Sequence, residues 1–206
     1  GTLYFSGTDA AYGPELWRTN GSEDATVMVK DINTSNPDGS DPKYLVAGPN
    51  NTLYFFASDG GNGSEFWKSD GTTLGTSMIK DINPGIASSE PLDPFNPVTV
   101  GTMTYFNADD GTHGVELWKT NGTPAGTALA EDIWVGGNSN PKFLTNCGGT
   151  LYFTADDGSS PLVRIKRGRE LWKCAGTNPV VTLAADVIKK SSHAFFTDNE
   201  DLIHKS

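Results

Sequence analysis

A phrase of about fifty residues recurs four times in this chain, and that recurrence decides what it can fold into. Each copy begins with a short aromatic strand: GTLYF at Gly1 to Phe5, NTLYF at Asn51 to Phe55, TMTYF at Thr102 to Phe106 and GTLYF at Gly149 to Phe153. An Asp follows (Asp9, Asp59, Asp110, Asp157), then ELWR, EFWK, ELWK and ELWK around Trp17, Trp67, Trp118 and Trp172. The tryptophans lie 50, 51 and 54 residues apart, the last interval stretched by an insertion before Arg169. A Gly-Ser or Gly-Thr turn comes next, at Gly21, Gly71, Gly122 and Gly176. A strand then runs into an acidic step whose Asp is Asp31, Asp81, Asp132 or Asp186. The final element is less regular, as in PKYLVAG (Pro42 to Gly48) and PKFLTN (Pro141 to Asn146).

Each copy therefore holds four short strands divided by turn chemistry, with repeats at 1–50, 51–100, 101–148 and 149–200 of a single domain, 1–206. Four antiparallel strands every ~40–50 residues are the signature of a propeller blade. A lone four-stranded sheet cannot cover both its faces, so neighbouring sheets must stack. Consecutive apolar positions, Leu3-Tyr4-Phe5 and Leu16-Trp17, fit strands covered on both sides. The expected fold is an all-β propeller of four repeats, each blade being one repeat or a circular shift of it. Ala194 to Asn199 matches PKFLTN, so 201–206 reads as the start of a fifth copy, a surplus terminal strand. Such a strand leaves an unpaired backbone edge and implies self-association into oligomers or fibres.

The recurring string ELW-x-T-[DN]-G-T…G-T…KDI resembles the ELWxxDGT repeats of secreted and surface bacterial proteins. The resemblance covers nearly the whole chain and implies a propeller-like, extracellular protein; it implies little about activity. Copy four departs furthest, with Cys174-Ala175 in place of Thr-Asn and Asn178-Pro179 in place of the second Gly-Thr.

Composition narrows the function classes. A net charge of −10 and a pI near 4.6 oppose nucleic-acid binding, which needs a basic face. No stretch of 18 apolar residues exists, so no membrane insertion by a helix is expected. The chain opens at Gly1 inside a repeat, without an initiator Met or leader-like segment, which reads as a processed protein or an excerpt.

Five groups of residues are candidate sites. The pairs Asp9/Glu15, Asp59/Glu65 and Asp110/Glu116 bracket Gly-rich hairpins, and carboxylates with loop carbonyls suit a repeated structural Ca²⁺. The competing reading has each Asp capping its own turn and each Glu on a strand edge. Sequons stand at Asn20, Asn33, Asn50, Asn62 and Asn121 as glycosylation candidates. Cys147 and Cys174 are expected to form a disulfide across the hairpin of copy four. Arg164, Lys166, Arg167 and Arg169 form a basic cluster that suits an anionic polysaccharide or cell-surface glycan, or else the solvated face of a lengthened hairpin. The four tryptophans are sugar platforms or blade core; their recurrence beside Leu or Phe favours core.

The Asp of the acidic step recurs in every copy, which suits a blade-linking hydrogen-bond acceptor better than a catalytic acid. His113, His193 and His204 occupy unrelated repeat positions, and no copy departs from the rest with paired carboxylates. The expected function is a non-enzymatic extracellular structural or adhesive protein. The alternatives are a lectin-like propeller and a propeller-type glycan hydrolase.

Overall fold

Turn residues cut the chain into short strands that pair only with their sequence neighbours. The computed structural model describes residues 1–35, 38–91, 96–158, 169–175 and 180–185, and in them the chain is all-β apart from one 3-10 turn at Pro49–Asn51. Sheet I holds β1 (Leu3–Asp9), β2 (Gly13–Thr19) and β3 (Val27–Lys30). Sheet II holds β4 (Lys43–Ala47), β5 (Leu53–Ala57), β6 (Glu65–Ser69) and β7 (Ser77–Lys80). Sheet III holds β8 (Val98–Val100), β9 (Met103–Asp109), β10 (Val115–Thr120) and β11 (Ala128–Glu131). Sheet IV holds β12 (Lys142–Cys147), β13 (Thr150–Ala155), β14 (Glu170–Ala175) and β15 (Val180–Ala185). Every pairing is antiparallel and every sheet runs in chain order.

The sheets are circular shifts of the sequence repeats. The element that closes one repeat opens the next sheet, so β4 pairs with β5 and β12 with β13. Sheet I accordingly has three strands among the described residues, where the other sheets have four. The surplus strand expected at 201–206, and its neighbour 194–199, lie outside the described residues.

Cross-strand register fixes which face each side chain takes. Phe5 lies opposite Trp17, Phe55 opposite Trp67, Phe106 opposite Trp118 and Phe153 opposite Trp172. Because strand side chains alternate, Tyr4 and Leu16, or Tyr54 and Phe66, fall on the other face. Each sheet turns its Phe/Trp face to the preceding sheet and its Tyr and Leu/Phe side chains to the following one. One apolar cluster thus joins Leu16 to Phe55 and Trp67, a second joins Phe66 to Phe106 and Trp118, and a third joins Leu117 to Phe153 and Leu151. The rings of Phe66 and Phe106 sit 4.3 Å apart between sheets II and III. Burying such side chains contributes roughly 1.5–3 kcal/mol each, so the stack is held by its interfaces more than by any one sheet.

Two further contacts repeat at successive interfaces. Lys30 reaches out of sheet I to donate to the Thr76 carbonyl at 2.7 Å, with its ammonium 5.8 Å from the Trp67 ring centre. Lys80 does the same one sheet later, to Thr127 at 2.9 Å and over Trp118. Gly71 and Gly122 take the left-handed conformation, at φ +88° and +83°. That conformation, shared by Gly21 at φ +102°, explains the Gly of the turn motif, and at Gly71 the Tyr4 hydroxyl also crowds the place where a Cβ would stand.

The two end faces differ from the interior ones. Leu3 is 63% exposed, against 7% for Leu53 and 0% for Leu151 at the same repeat position. Trp17 is half-buried, whereas Trp67 and Trp118 are buried. On the far face of sheet IV, Leu171 is half-buried where Leu16, Phe66 and Leu117 are fully enclosed. Each apolar cluster among the described residues bridges successive sheets; none joins sheet IV to sheet I.

Candidate functional site

The Glu of the ELW motif is the most buried charged side chain in each repeat, and its surroundings identify its work. Glu15, Glu65 and Glu116 are each 0% exposed. Glu65 accepts from the backbone N–H groups of Ile82 at 2.8 Å, Ser89 at 3.1 Å and Asn83 at 3.4 Å, and from the Ser89 hydroxyl at 2.7 Å. These four donors match the roughly four lone-pair positions of a carboxylate. Glu15 repeats the pattern with Ile32, Asn33 and the Ser40 hydroxyl at 2.6 Å, and Glu116 with Ile133, the Ser139 backbone and the Ser139 hydroxyl at 2.5 Å. Burial pushes the carboxyls of Glu65 and Glu116 above the usual range, while these donors pull the other way.

The partner serine carries the link onward. Ser40 accepts from the Ser58 N–H of sheet II, Ser89 from Asp109 of sheet III, and Ser139 from Asp156 of sheet IV, all through the backbone carbonyl. Glu and Ser together form a staple from the middle of one sheet, through the connector, to the next. The serines escaped sequence reading because their distance from the Glu drifts through 25, 24 and 23 residues.

The Asp halves of the expected cation pairs do different work. Asp9 Oδ1 accepts from the Ala11 N–H; Asp59 accepts from Gly61, Asn62 and the Asn62 amide; Asp110 accepts from Thr112, His113 and the His113 ring. Burial would raise Asp59 and Asp110, but these hydrogen bonds outweigh it and hold both below the ordinary carboxylate range. In these three pairs the Asp caps its own turn and the Glu holds a buried staple. Among the described residues no three His, Cys, Asp or Glu side chains gather as a metal ion requires.

The disulfide expectation needs correcting. Cys147 belongs to β12, one strand earlier than the hairpin geometry assumed, and pairs with Thr150; Cys174 pairs with Leu151 on the other side of β13. Two strand spacings separate the cysteines, about 9.5 Å, beyond the ~7 Å that a bridge spans. Both are free thiols, Cys147 exposed and Cys174 buried against Tyr105. Cys174 and Val181 replace the buried hydroxyl pairs Ser69/Thr76 and Thr120/Thr127 of the preceding copies.

Among the sequons, Asn33 is 5% exposed and donates its amide to the Gly39 carbonyl, which removes it as a glycan acceptor in the folded chain. Asn20, Asn50 and Asn121 are exposed and Asn62 half-buried. Arg169 donates to Thr154 of β13 and to the Asn140 carbonyl of the connector that precedes β12, so its guanidinium ties sheet IV to that connector. Arg164, Lys166 and Arg167 lie outside the described residues. The acidic-step Asp was expected to accept a linking hydrogen bond, yet Oδ1 of Asp31, Asp81 and Asp132 is buried without a partner among the described residues.

A cavity of about 510 Å³ opens between sheets I and II, lined by Tyr4, Arg18, Asn51, Leu53 and Asp70 among others. No motif pointed to it, because it is assembled from β1 and β2 of one sheet and from β4, β5, their turn and the loop after β6 of the next.

No family model matches the chain and no curated protein matches it, so the likeness to ELWxxDGT repeats rests on the motif residues alone. Solved structures give distant likenesses. One, from a study of two prolyl endopeptidases, aligns with 90% of this chain and 25% of its own at 11% identity and a TM-score of 0.47. A putative exo-β-1,3-galactanase from Bifidobacterium bifidum s17 aligns with 88% and 66%, at 12% identity and 0.40. An engineered GH43 glycoside hydrolase aligns with 91% and 38%, at 14% identity and 0.36. The chain spans about a quarter of the first of these proteins, and none of them lends it a residue role or a substrate.

Proposed function

We propose that this chain is a non-catalytic, extracellular structural repeat protein of propeller-like build, which self-associates by stacking the end faces of its sheet array. One observation carries the reading. The face bearing Leu3, Phe5 and Trp17 and the face bearing Leu171 are the two halves of an interface that the chain already makes three times internally, and among the described residues no apolar cluster covers either half. Large apolar positions less enclosed at both ends of the described array than inside it, with Leu3 exposed and Phe5, Trp17 and Leu171 half-buried, favour head-to-tail association with another copy. The motif carboxylates support the non-catalytic part: in three repeats they hold backbone and serine donors away from solvent.

Light scattering over a range of protein concentrations tests this. We expect mass to rise with concentration, and Leu3→Asp to hold the protein at single-chain mass while its near-ultraviolet circular dichroism is unchanged. Single-chain mass for the unaltered protein at every concentration would refute the association.

A further inference from the structure

We propose that the cleft between sheets I and II is a binding site for a neutral saccharide, present once per chain. The inference goes beyond the structural reading above and does not depend on association, since the whole cleft lies within one copy.

The cleft combines one ring wall, an apolar floor and polar groups of opposite kinds. Tyr4, half-buried, supplies the aromatic side, and Leu53, 7% exposed, supplies apolar surface. Arg18 and Asp70 are exposed at the lining, with Asn51 on the β4–β5 turn held at φ +59°. Among the described residues the Arg18 side chain has no ion pair or hydrogen bond, although this is an acidic protein. Asp70 uses Oδ1 for the Thr72 N–H and hydroxyl, which leaves Oδ2 available as an acceptor. Arginine only donates, a carboxylate only accepts and an amide does both.

That set discriminates between ligand classes. An anion meets Asp70 and the protein's net charge of −10; a cation meets Arg18. A neutral polyol satisfies both, because every hydroxyl donates and accepts, and a sugar's C–H face suits a ring wall. The cavity size falls within the ~300–1,000 Å³ usual for small-molecule sites.

The next interface shows why one site per chain is expected. There Lys68 takes the place of Arg18 and donates across the gap to the Gly122 carbonyl at 2.6 Å, and Asn121 takes the place of Asp70. The cation is engaged in holding the sheets together, and the free carboxylate is gone. Arg18 and Asp70 are therefore departures from the repeat that line the same cleft, Arg18 without a side-chain partner among the described residues and Asp70 with Oδ1 engaged by its own turn and Oδ2 left over.

The repeat also supplies fold-compatible substitutions. R18K and D70N install the residues that other copies carry, and Asn121 Oδ1 accepts the same turn bonds as Asp70 Oδ1. The test titrates ¹⁵N-labelled protein with lactose, cellobiose and maltose, with glucuronate and glucosamine as charged comparisons. We expect at least one neutral disaccharide to shift the resonances of Arg18, Asn51 and Asp70 at millimolar concentration, and R18K/D70N to weaken it roughly tenfold or more. Three results would overturn the proposal: no shift with any neutral disaccharide, shifts that persist unchanged in R18K/D70N, or equal or tighter binding of a charged sugar.

Discussion

The hydroxyl of Ser89 donates to Glu65 Oε2 at 2.7 Å, and the backbone N–H of the same residue reaches Glu65 Oε1 at 3.1 Å. Both partners are fully buried, and Ser89 in turn accepts from the Asp109 N–H of the next sheet. A carboxylate in such a place is tolerable only while its donors stay, and the donors are tolerable only while it stays. Glu65→Ala leaves three backbone N–H groups and a hydroxyl without their acceptor, so we expect a loss of about 3–5 kcal/mol in urea unfolding. Ser89→Ala removes a donor and should cost about 1–2 kcal/mol. Equal, small effects in both variants would show that the staple is incidental.

The turn between β9 and β10 carries a pH signature. Asp110 Oδ2 lies 2.7 Å from His113 Nδ1; this hydrogen bond, with the carboxylate charge, raises the His113 pKa, and the same contact helps to lower Asp110. The His113 contribution to stability is present below the ordinary histidine value of about 6.5 and is lost as pH rises through the raised value. The Asp110 contribution is present above about 3.9 and is lost as pH falls through the lowered value. The turn is therefore firmest between those limits. An NMR titration of His113 should show its pKa falling toward the ordinary value in Asp110→Asn; no change would contradict the pairing.

Thiol chemistry separates the two cysteines. In native protein without reductant, we expect an alkylating reagent to modify exposed Cys147 promptly and buried Cys174 only on unfolding. Burial raises the Cys174 thiol pKa and slows it further. A native protein that resists alkylation at both positions until reduced would restore the disulfide.

Glycine in the turn motif is required for two different reasons, which substitution can tell apart. Gly21 has φ +102° and open space around it, so Gly21→Ala bears only backbone strain, about 1 kcal/mol. At Gly71 the strain is compounded by the Tyr4 hydroxyl, and we expect Gly71→Ala to lower stability by at least about 1 kcal/mol more. Equal losses in urea unfolding would remove Tyr4 from the explanation.

The strand order was legible because it is local. Every ladder joins chain neighbours, and period-two faces follow once Phe5 is set opposite Trp17. What escaped was where each sheet begins. The sequence phrase starts at GTLYF, whereas the sheet starts one element earlier, and that shift alone moved Cys147 onto the wrong side of β13. The role of Glu65 was illegible for another reason: its partners come from a connector, at a separation from the motif Glu that varies from copy to copy, and Arg169 likewise reaches a connector carbonyl, that of Asn140, 29 residues away. The Asp-x5-Glu spacing looked like one site because the two residues are close in sequence, yet the Asp faces its own turn and the Glu faces the interior.

The central claim, that one chain's first sheet stacks on another chain's last, has a direct geometric test. Phe66 and Phe106 face each other across sheets II and III with ring centres 4.3 Å apart, and their repeat equivalents on the open faces are Leu171 and Phe5. Phe5→Cys and Leu171→Cys, combined in a Cys147→Ser background, should therefore be brought together between copies and form a bridge on mild oxidation. Non-reducing electrophoresis is expected to show a ladder of covalently linked dimers and longer chains, lost when either new cysteine is omitted. Protein that remains at single-chain mass would contradict the account, and a bridge formed within one chain would show instead that sheets I and IV close on each other.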